Sequence, residues 1–204
     1  MCEKEGYLLQ FHGDSSYSIE LQEQYFNFLN DLSNEEYINV VLHPLSLNTI
    51  QDTIKETNLY FSKLLNLIYQ KHLKIKLSIE NLNSITMPRL SKEYLNSILS
   101  NNMDLNFTYD IGHETVEYGK VVDLNSILIE RLSNVHIHTF NIKEDHQPIG
   151  MNEHKEWIKA IQYLNYLHFD GTLVLEYDFY TLGSNFEERM INYIKCVEYI
   201  QNYI

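Results

Sequence analysis

The chain has 204 residues, of which 44% are hydrophobic, and its formal net charge of −13 comes from 28 acidic and 15 basic side chains. This length suits one domain with a sizeable core, and we expect a single domain over residues 1–204. The negative charge repels a phosphate backbone, so nucleic acid is disfavoured as a partner. A small anionic substrate held by a metal is not excluded.

The sequence shows no disulfide, membrane-span or signal-peptide pattern. Cys2 and Cys196 lie nearly a chain length apart and predict no disulfide framework. No apolar run approaches about 18 residues, so no membrane span is predicted, and the first residues lack the apolar core of a signal peptide. We therefore expect a cytoplasmic protein.

Short apolar runs with strand composition alternate with segments of helical periodicity along the chain. The six runs are YLLQFH (7–12), INVVLH (38–43), KIKLSIE (74–80), LNFTYD (105–110), NVHIH (134–138) and GTLVLE (171–176). Their starts lie roughly 28 to 38 residues apart, which is the length of one βα unit. Strict alternation predicts a parallel sheet, either as a doubly wound open sheet or as a (β/α)8 barrel. No glycine-rich loop follows a strand, which argues against a nucleotide-binding Rossmann fold.

Every run ends in a histidine or an acidic residue. These residues are His12, His43, Glu80, Asp110, His138 and Glu176. The residues two positions earlier lie one layer deeper on the same face and are mostly neutral or apolar, as Ser78 and Thr108 are. His136 is the exception, and we interpret it as a hydrogen-bonded interior side chain. Because barrel enzymes build their active sites at the carboxyl ends of the strands, the pattern predicts a polar site there.

Two further groups of candidate metal ligands follow the strands. The DIGH segment adds His113 to Asp110, and the loop after the fifth run carries Glu144, Asp145 and His146. Imidazoles and carboxylates together suit zinc, manganese, iron or cobalt. Acidic groups so close would repel one another unless a cation neutralised them, so we expect a divalent metal ion.

In order and spacing, the segments QFHGDSSY, VVLHP, LSIEN, YDIGH, HIHTFN, DHQPIG and LVLEYD resemble the xylose-isomerase-like TIM barrels over essentially the whole chain. That superfamily contains sugar isomerases and epimerases and the zinc-dependent apurinic endonucleases. The resemblance implies an α/β fold of the TIM (β/α)8 type. Because QFHGD matches the third strand of the family barrel, the first two βα units are expected to be lacking, which leaves about six parallel strands. A rearranged sheet, a second copy (a homodimer), a partner chain or further sequence would then cover the open edge.

In the isomerase branch, the resemblance implies one divalent ion, with zinc or manganese preferred and cobalt or iron as alternatives. The implied ligands are Glu80, Asp110, His138 and Glu176. Glu80 and Glu176 would also be the catalytic pair that moves a proton between adjacent carbons of a sugar or sugar phosphate. His113 would contact this small-molecule substrate, and His43 and His12 are further candidate substrate-binding residues. This branch is the preferred prediction.

Two alternatives stay open. In the nuclease branch, two or three zinc ions would act on a phosphodiester and would add as ligands His12, His43, His113, Glu144 and His146. The net charge argues against this branch, and the missing region supplies DNA-contacting loops in the nucleases. Glu144 stands where those enzymes carry Asp, and Asn141 stands where an Asp is common. The second alternative is an inactive barrel that acts as a binding or assembly subunit.

Overall fold

A computed structural model describes residues 10–13, 17–33, 36–83, 92–118, 123–139, 146–150 and 156–203. Within these ranges the strands are β1 (Gln10–His12), β2 (Ile38–Leu42), β3 (Ile75–Glu80), β4 (Asn106–Asp110), β5 (Leu132–Ile137) and β6 (Thr172–Leu175). Each predicted run therefore contains a strand. β5 begins two residues earlier than predicted, and residues 7–9 of the first run lie outside the described ranges.

Helices separate the strands, as the periodicity predicts. They are α1 (Ile19–Leu32), α2 (Ile50–Gln70), α3 (Lys92–Asn101), α4 (Ile111–Tyr118), α5 (Ser126–Arg131), α6 (Glu156–Tyr166) and α7 (Phe186–Gln201). The helix α4 is missing from the sequence prediction, which treats the DIGH segment as a bend between strand and loop. Over the described residues, no helix combines the length and the apolar character that a bilayer span requires.

The described residues form two compact units. Unit 1 takes its residues from Met1–Thr108 and Leu124–Ser133, and unit 2 from Tyr109–Asp123 and Asn134–Ile204. In each unit, neighbouring strands follow one another in chain order. The prediction that the chain is one domain stays a prediction.

Unit 1 contains the parallel pairs β1–β2, β2–β3 and β3–β4. Val40 and Val41, which are adjacent on β2, are both fully buried, as expected for a parallel strand covered on both faces. Amphipathic helices supply the cover, and their fully buried side chains include Phe26, Leu29, Phe61 and Leu64. Side-chain oxygens cap these helices, since Ser18 accepts the Leu21 N–H of α1 and Thr49 accepts the Asp52 N–H of α2.

Unit 2 contains the parallel pair β5–β6, with Val135 opposite Leu173 and His136 opposite Val174. The buried face of α6 consists of Trp157, Ala160, Ile161 and Leu164. On α7, Cys196 is buried and its thiol donates a hydrogen bond to the Ile149 carbonyl at 3.2 Å. The predicted α/β class, with parallel strands alternating with helices, is confirmed.

Beneath the strand ends of unit 1, β3 and β4 hold a neutral polar pair. The hydroxyl oxygens of Ser78 and Thr108 are 2.6 Å apart, and both side chains are buried. This matches the expected alternation, in which ionisable residues occupy the strand ends and neutral residues the layer below.

Replacing Thr108 with valine should lower the free energy of unfolding by about 1–2 kcal/mol, because the buried Ser78 hydroxyl loses this partner. The double variant Ser78→Ala/Thr108→Val should recover part of the loss, since neither hydroxyl then remains. Urea denaturation of the three proteins measures the difference. Equal stability of Thr108→Val and the unmodified chain would contradict the expectation.

Candidate metal centre

The six strand-terminal residues lie where the sequence predicts. His12, Glu80 and Asp110 are the last residues of β1, β3 and β4. The residues that directly follow β2, β5 and β6 are His43, His138 and Glu176. A side chain at this position is held by the end of a buried strand, which is where barrel enzymes place their functional groups.

In unit 1, the carboxylate of Glu80 lies between two imidazoles. Its Oε2 is 3.0 Å from His12 Nε2 and 3.3 Å from His43 Nε2. The two rings meet edge to face with centroids 4.6 Å apart. The carboxylate is 1% exposed, whereas the imidazoles are 35% and 37% exposed, so the histidines form an accessible rim above a buried acid. One donor atom from each residue lies within 4.8 Å of the others, which is close enough for a shared cation.

In unit 2, Asp110 lies among three histidines. His138 Nε2 is 3.0 Å from Asp110 Oδ1 and 3.1 Å from Oδ2, and His113 Nδ1 is 3.4 Å from Oδ2. The ring of His146 stacks on that of His138 at 4.2 Å and 17°. Donor atoms of these four residues, which we call the Asp–His cluster, lie within 4.8 Å of one another. Asp110 and His138 are fully buried and His113 is nearly so.

The start of α4 orders one half of the Asp–His cluster. Asp110 Oδ1 accepts the backbone N–H of His113 at 2.7 Å, which satisfies one of the free amide groups of the first helical turn. The carboxylate therefore ends β4 and caps α4 at the same time. Three residues of helix then return His113 to the same carboxylate, so the Asp-x-x-His spacing brings both ligands together.

An isolated backbone bridge orders the other half. Thr139 and Gln147 form an antiparallel bridge with two N–H to carbonyl hydrogen bonds, both 2.8 Å long, which holds the segment that carries His146 against the end of β5. His146 has a left-handed backbone, with φ of 53°. The Thr139 carbonyl accepts from His138 Nδ1 at 3.1 Å, so Nδ1 carries a proton and Nε2 is the ring nitrogen that faces Asp110.

Glu176 has a different partner within unit 2. Its Oε2 is 2.7 Å from Nδ1 of His136, a side chain that is 1% exposed. Its backbone N–H donates to the Ile137 carbonyl at 3.3 Å, which extends the pairing of β6 with β5. His136 is thus an interior residue at ion-pair distance from Glu176, and its interpretation as a hydrogen-bonded side chain stays a prediction.

Within each unit, the predicted site residues group as follows. Glu80 lies with His12 and His43, Asp110 with His113, His138 and His146, and Glu176 with His136. Glu144 and Asp145 lie outside the described residues. The catalytic, substrate-binding and metal-binding roles assigned to these side chains stay predictions. Neither Gly112 nor the Thr139–Gln147 bridge was identified from the sequence as a feature of the site. Gly112 could have been noticed, because it is the glycine inside the DIGH segment.

Tyr109, the residue before Asp110, is not a candidate phenolate ligand for a metal ion. It is fully buried next to Asp110, and burial, followed by the charges of Glu114 and Asp110, raises the pKa of its phenol well above the usual value. The phenol therefore stays neutral at physiological pH. Burial likewise raises the pKa of the Cys196 thiol, which supports a packing role for that residue.

The Asp–His cluster fits a divalent transition metal ion. Three imidazoles and one carboxylate converge in a buried place, the tautomer of His138 is fixed by a backbone carbonyl, and the donors are those preferred by zinc, cobalt, manganese and iron. A cation bound here would also compensate the charge of the buried Asp110 carboxylate.

Neither a protein-family model nor a curated protein matches the sequence. Solved structures do match. D-psicose 3-epimerase from Clostridium cellulolyticum H10 superposes with a TM-score of 0.69 and 10% identity, over 98% of this chain and 80% of that chain. An L-ribulose 3-epimerase gives 0.69 and 14%, over 98% and 76%. A sugar phosphate isomerase/epimerase from Parabacteroides distasonis ATCC 8503 gives 0.64 and 15%, over 98% and 72%.

These neighbours belong to the xylose-isomerase-like TIM barrels, the superfamily that the sequence resembles. The predicted fold, an α/β chain of the TIM-barrel type with six strands in its described part, is thereby confirmed. At 10–15% identity the likeness establishes the fold, and the chemistry has to be argued from the side chains.

Replacing Asp110 with asparagine should weaken Co²⁺ or Zn²⁺ binding by at least about tenfold, because the charged ligand is lost. The fold should persist, since asparagine also caps a helix and accepts the His113 N–H. Isothermal titration calorimetry measures the affinity. The matched control is His168→Asn, at an exposed position whose φ of 54° asparagine tolerates. Equal affinities for both variants would remove Asp110 from the ligand set.

Proposed function

We propose that the protein is a divalent-metal-dependent enzyme of the sugar isomerase or epimerase type. The observation that carries this proposal is the placement of histidines and carboxylates at the strand ends of a fold shared with sugar epimerases. The same fold hosts other chemistries, so the argument rests on the side chains.

The metal ligands proposed from the geometry are Asp110, His113, His138 and His146. The resemblance adds Glu80 and Glu176 to Asp110 and His138. When bound, a divalent ion would polarise a sugar carbonyl and stabilise the negative charge that develops on its oxygen. Zinc and manganese are the proposed ions, and cobalt and iron have the same ligand preferences.

Glu80 and Glu176 are the proposed acid and base. In each, the carboxylate oxygen that would take or give a proton lies next to an imidazole. For Glu80 the imidazoles are those of His12 and His43, and for Glu176 it is that of His136. An imidazole at this distance would orient the carboxylate and relay the proton that it takes or gives. The pair would remove the proton from the carbon next to the carbonyl and return it to the other face or to the adjacent carbon.

The proposed substrate is a small sugar or sugar phosphate. The partly exposed imidazoles of His12 and His43 are accessible for hydrogen bonds to sugar hydroxyls, and His113 is the third proposed contact. Its position inside the Asp–His cluster would place a bound hydroxyl close to the metal ligands.

Proton transfer should be detectable without knowledge of the true substrate. We expect the protein with Mn²⁺ or Co²⁺ to exchange the proton beside the carbonyl of D-tagatose, D-psicose or L-ribulose for solvent deuterium, as followed by ¹H NMR in D₂O. Glu80→Gln and Glu176→Gln should each slow the exchange by about 10²- to 10⁴-fold. His168→Asn should not change it. Exchange that is unaffected by both glutamine variants would refute the assignment of the pair.

The metal content of the protein shows whether Glu176 is a metal ligand or acts only as an acid or base. In protein purified without chelator, elemental analysis should give one divalent ion per chain, and Glu176→Gln should lower this content without loss of helical circular dichroism. Unchanged metal content in Glu176→Gln would restrict that residue to proton transfer.

The His12–His43–Glu80 set favours one second candidate, a zinc phosphodiesterase of the apurinic endonuclease type. Its donor atoms also lie within 4.8 Å of one another, so it could hold an ion in addition to the one in the Asp–His cluster. Two or three zinc ions per chain together with cleavage of an abasic duplex would favour this function. One ion and no cleavage would favour the isomerase. The net charge of −13 makes tight binding of a phosphate backbone unfavourable.

A further inference from the structure

We infer that Gly112 is a positioning residue for the Asp–His cluster. The missing side chain at position 112 leaves the space in which the His138 imidazole lies against the first turn of α4. The consequence for metal binding rests on the proposed function, whereas the packing consequence is independent of it.

Backbone conformation does not explain the glycine. Among the described glycines, positive φ angles occur at Gly150 and Gly183, and Gly112 lies in α4 with ordinary helical geometry. Any L-residue adopts that geometry, and alanine favours a helix more than glycine does. The reason for glycine must therefore be the space that a Cβ atom would occupy.

That space is filled by His138. A Cβ atom at position 112 would overlap the imidazole at Cε1, Nδ1 and Nε2 together. These atoms belong to one rigid ring, so no rotation of a flexible chain end relieves the overlap. Either the whole ring or the first turn of α4 would have to move.

The ring has little freedom to move. Its Nδ1 donates to the Thr139 carbonyl at 3.1 Å, its Nε2 is 3.0 Å from Asp110 Oδ1, and its face stacks on His146 at 4.2 Å. The side chain is also fully buried. A side chain at position 112 would thus displace His138 from Asp110 or shift the helix start that carries Asp110 and His113.

A double-variant cycle tests the packing. Four proteins are compared by thermal denaturation in EDTA: the unmodified chain, Gly112→Ala, His138→Ala and the double variant. Gly112→Ala should lower Tm by about 5 °C in the unmodified chain, because an overfilled core is strained. In the His138→Ala background the same change should leave Tm unchanged or raise it, since the clash is gone and alanine favours the helix. An equal fall in both backgrounds would overturn the inference.

Co²⁺ absorption spectroscopy then tests positioning. Gly112→Ala keeps all four cluster side chains, yet its Co²⁺ affinity should fall by at least about tenfold because their geometry is disturbed. An unchanged affinity would overturn the positioning role. If Gly112→Ala does not fold, a folded double variant supports the inference and an unfolded one overturns it. If the unmodified chain binds no Co²⁺, the proposed metal centre fails, and the Tm cycle still decides the packing role.

Discussion

Burial of two carboxylates at the ends of parallel strands is the constraint on which the candidate site depends. Glu80 is 1% exposed and Asp110 is fully buried. An isolated carboxylate in such a place is strongly unfavourable, so each must be surrounded by groups that donate hydrogen bonds or carry positive charge. In this chain the surrounding groups are imidazoles, which near neutral pH compensate a carboxylate when protonated and bind a metal when neutral.

The alternation of strands and helices positions most of these carboxylates and imidazoles by itself. A parallel strand buries its apolar side chains on both faces. Its last residue can carry a polar group, which lies at the same edge of the sheet as the ends of the neighbouring strands. In unit 1, the Ser78–Thr108 pair fills the layer below Glu80 with neutral polar groups. In unit 2, Asp110 both ends β4 and caps α4, so one residue fixes the helix start and the ligand position of His113.

The strands, most of the helices and the residues at the strand ends could be predicted from the sequence, because they depend on the pattern of residues close together in the chain. The six strands and their terminal residues follow from that local information. The Thr139–Gln147 bridge, the space at Gly112 and the pairing of His136 with Glu176 depend on contacts between distant segments, which alternation cannot specify. The helix α4 was missed because it begins directly at the end of β4, without a connecting loop whose composition would mark a boundary.

The net charge distinguishes among the substrates that this site chemistry allows. A chain with a charge of −13 raises the local concentration of divalent cations and lowers that of phosphates, within the reach that salt screening permits. The charge of the whole protein would therefore assist the binding of a cation by the Asp–His cluster. A phosphodiester receives no such assistance, and a sugar phosphate would need the bound cation to offset the repulsion. An uncharged sugar, which belongs to the proposed substrate class, would enter without an electrostatic penalty and would therefore be favoured by the charge of this chain.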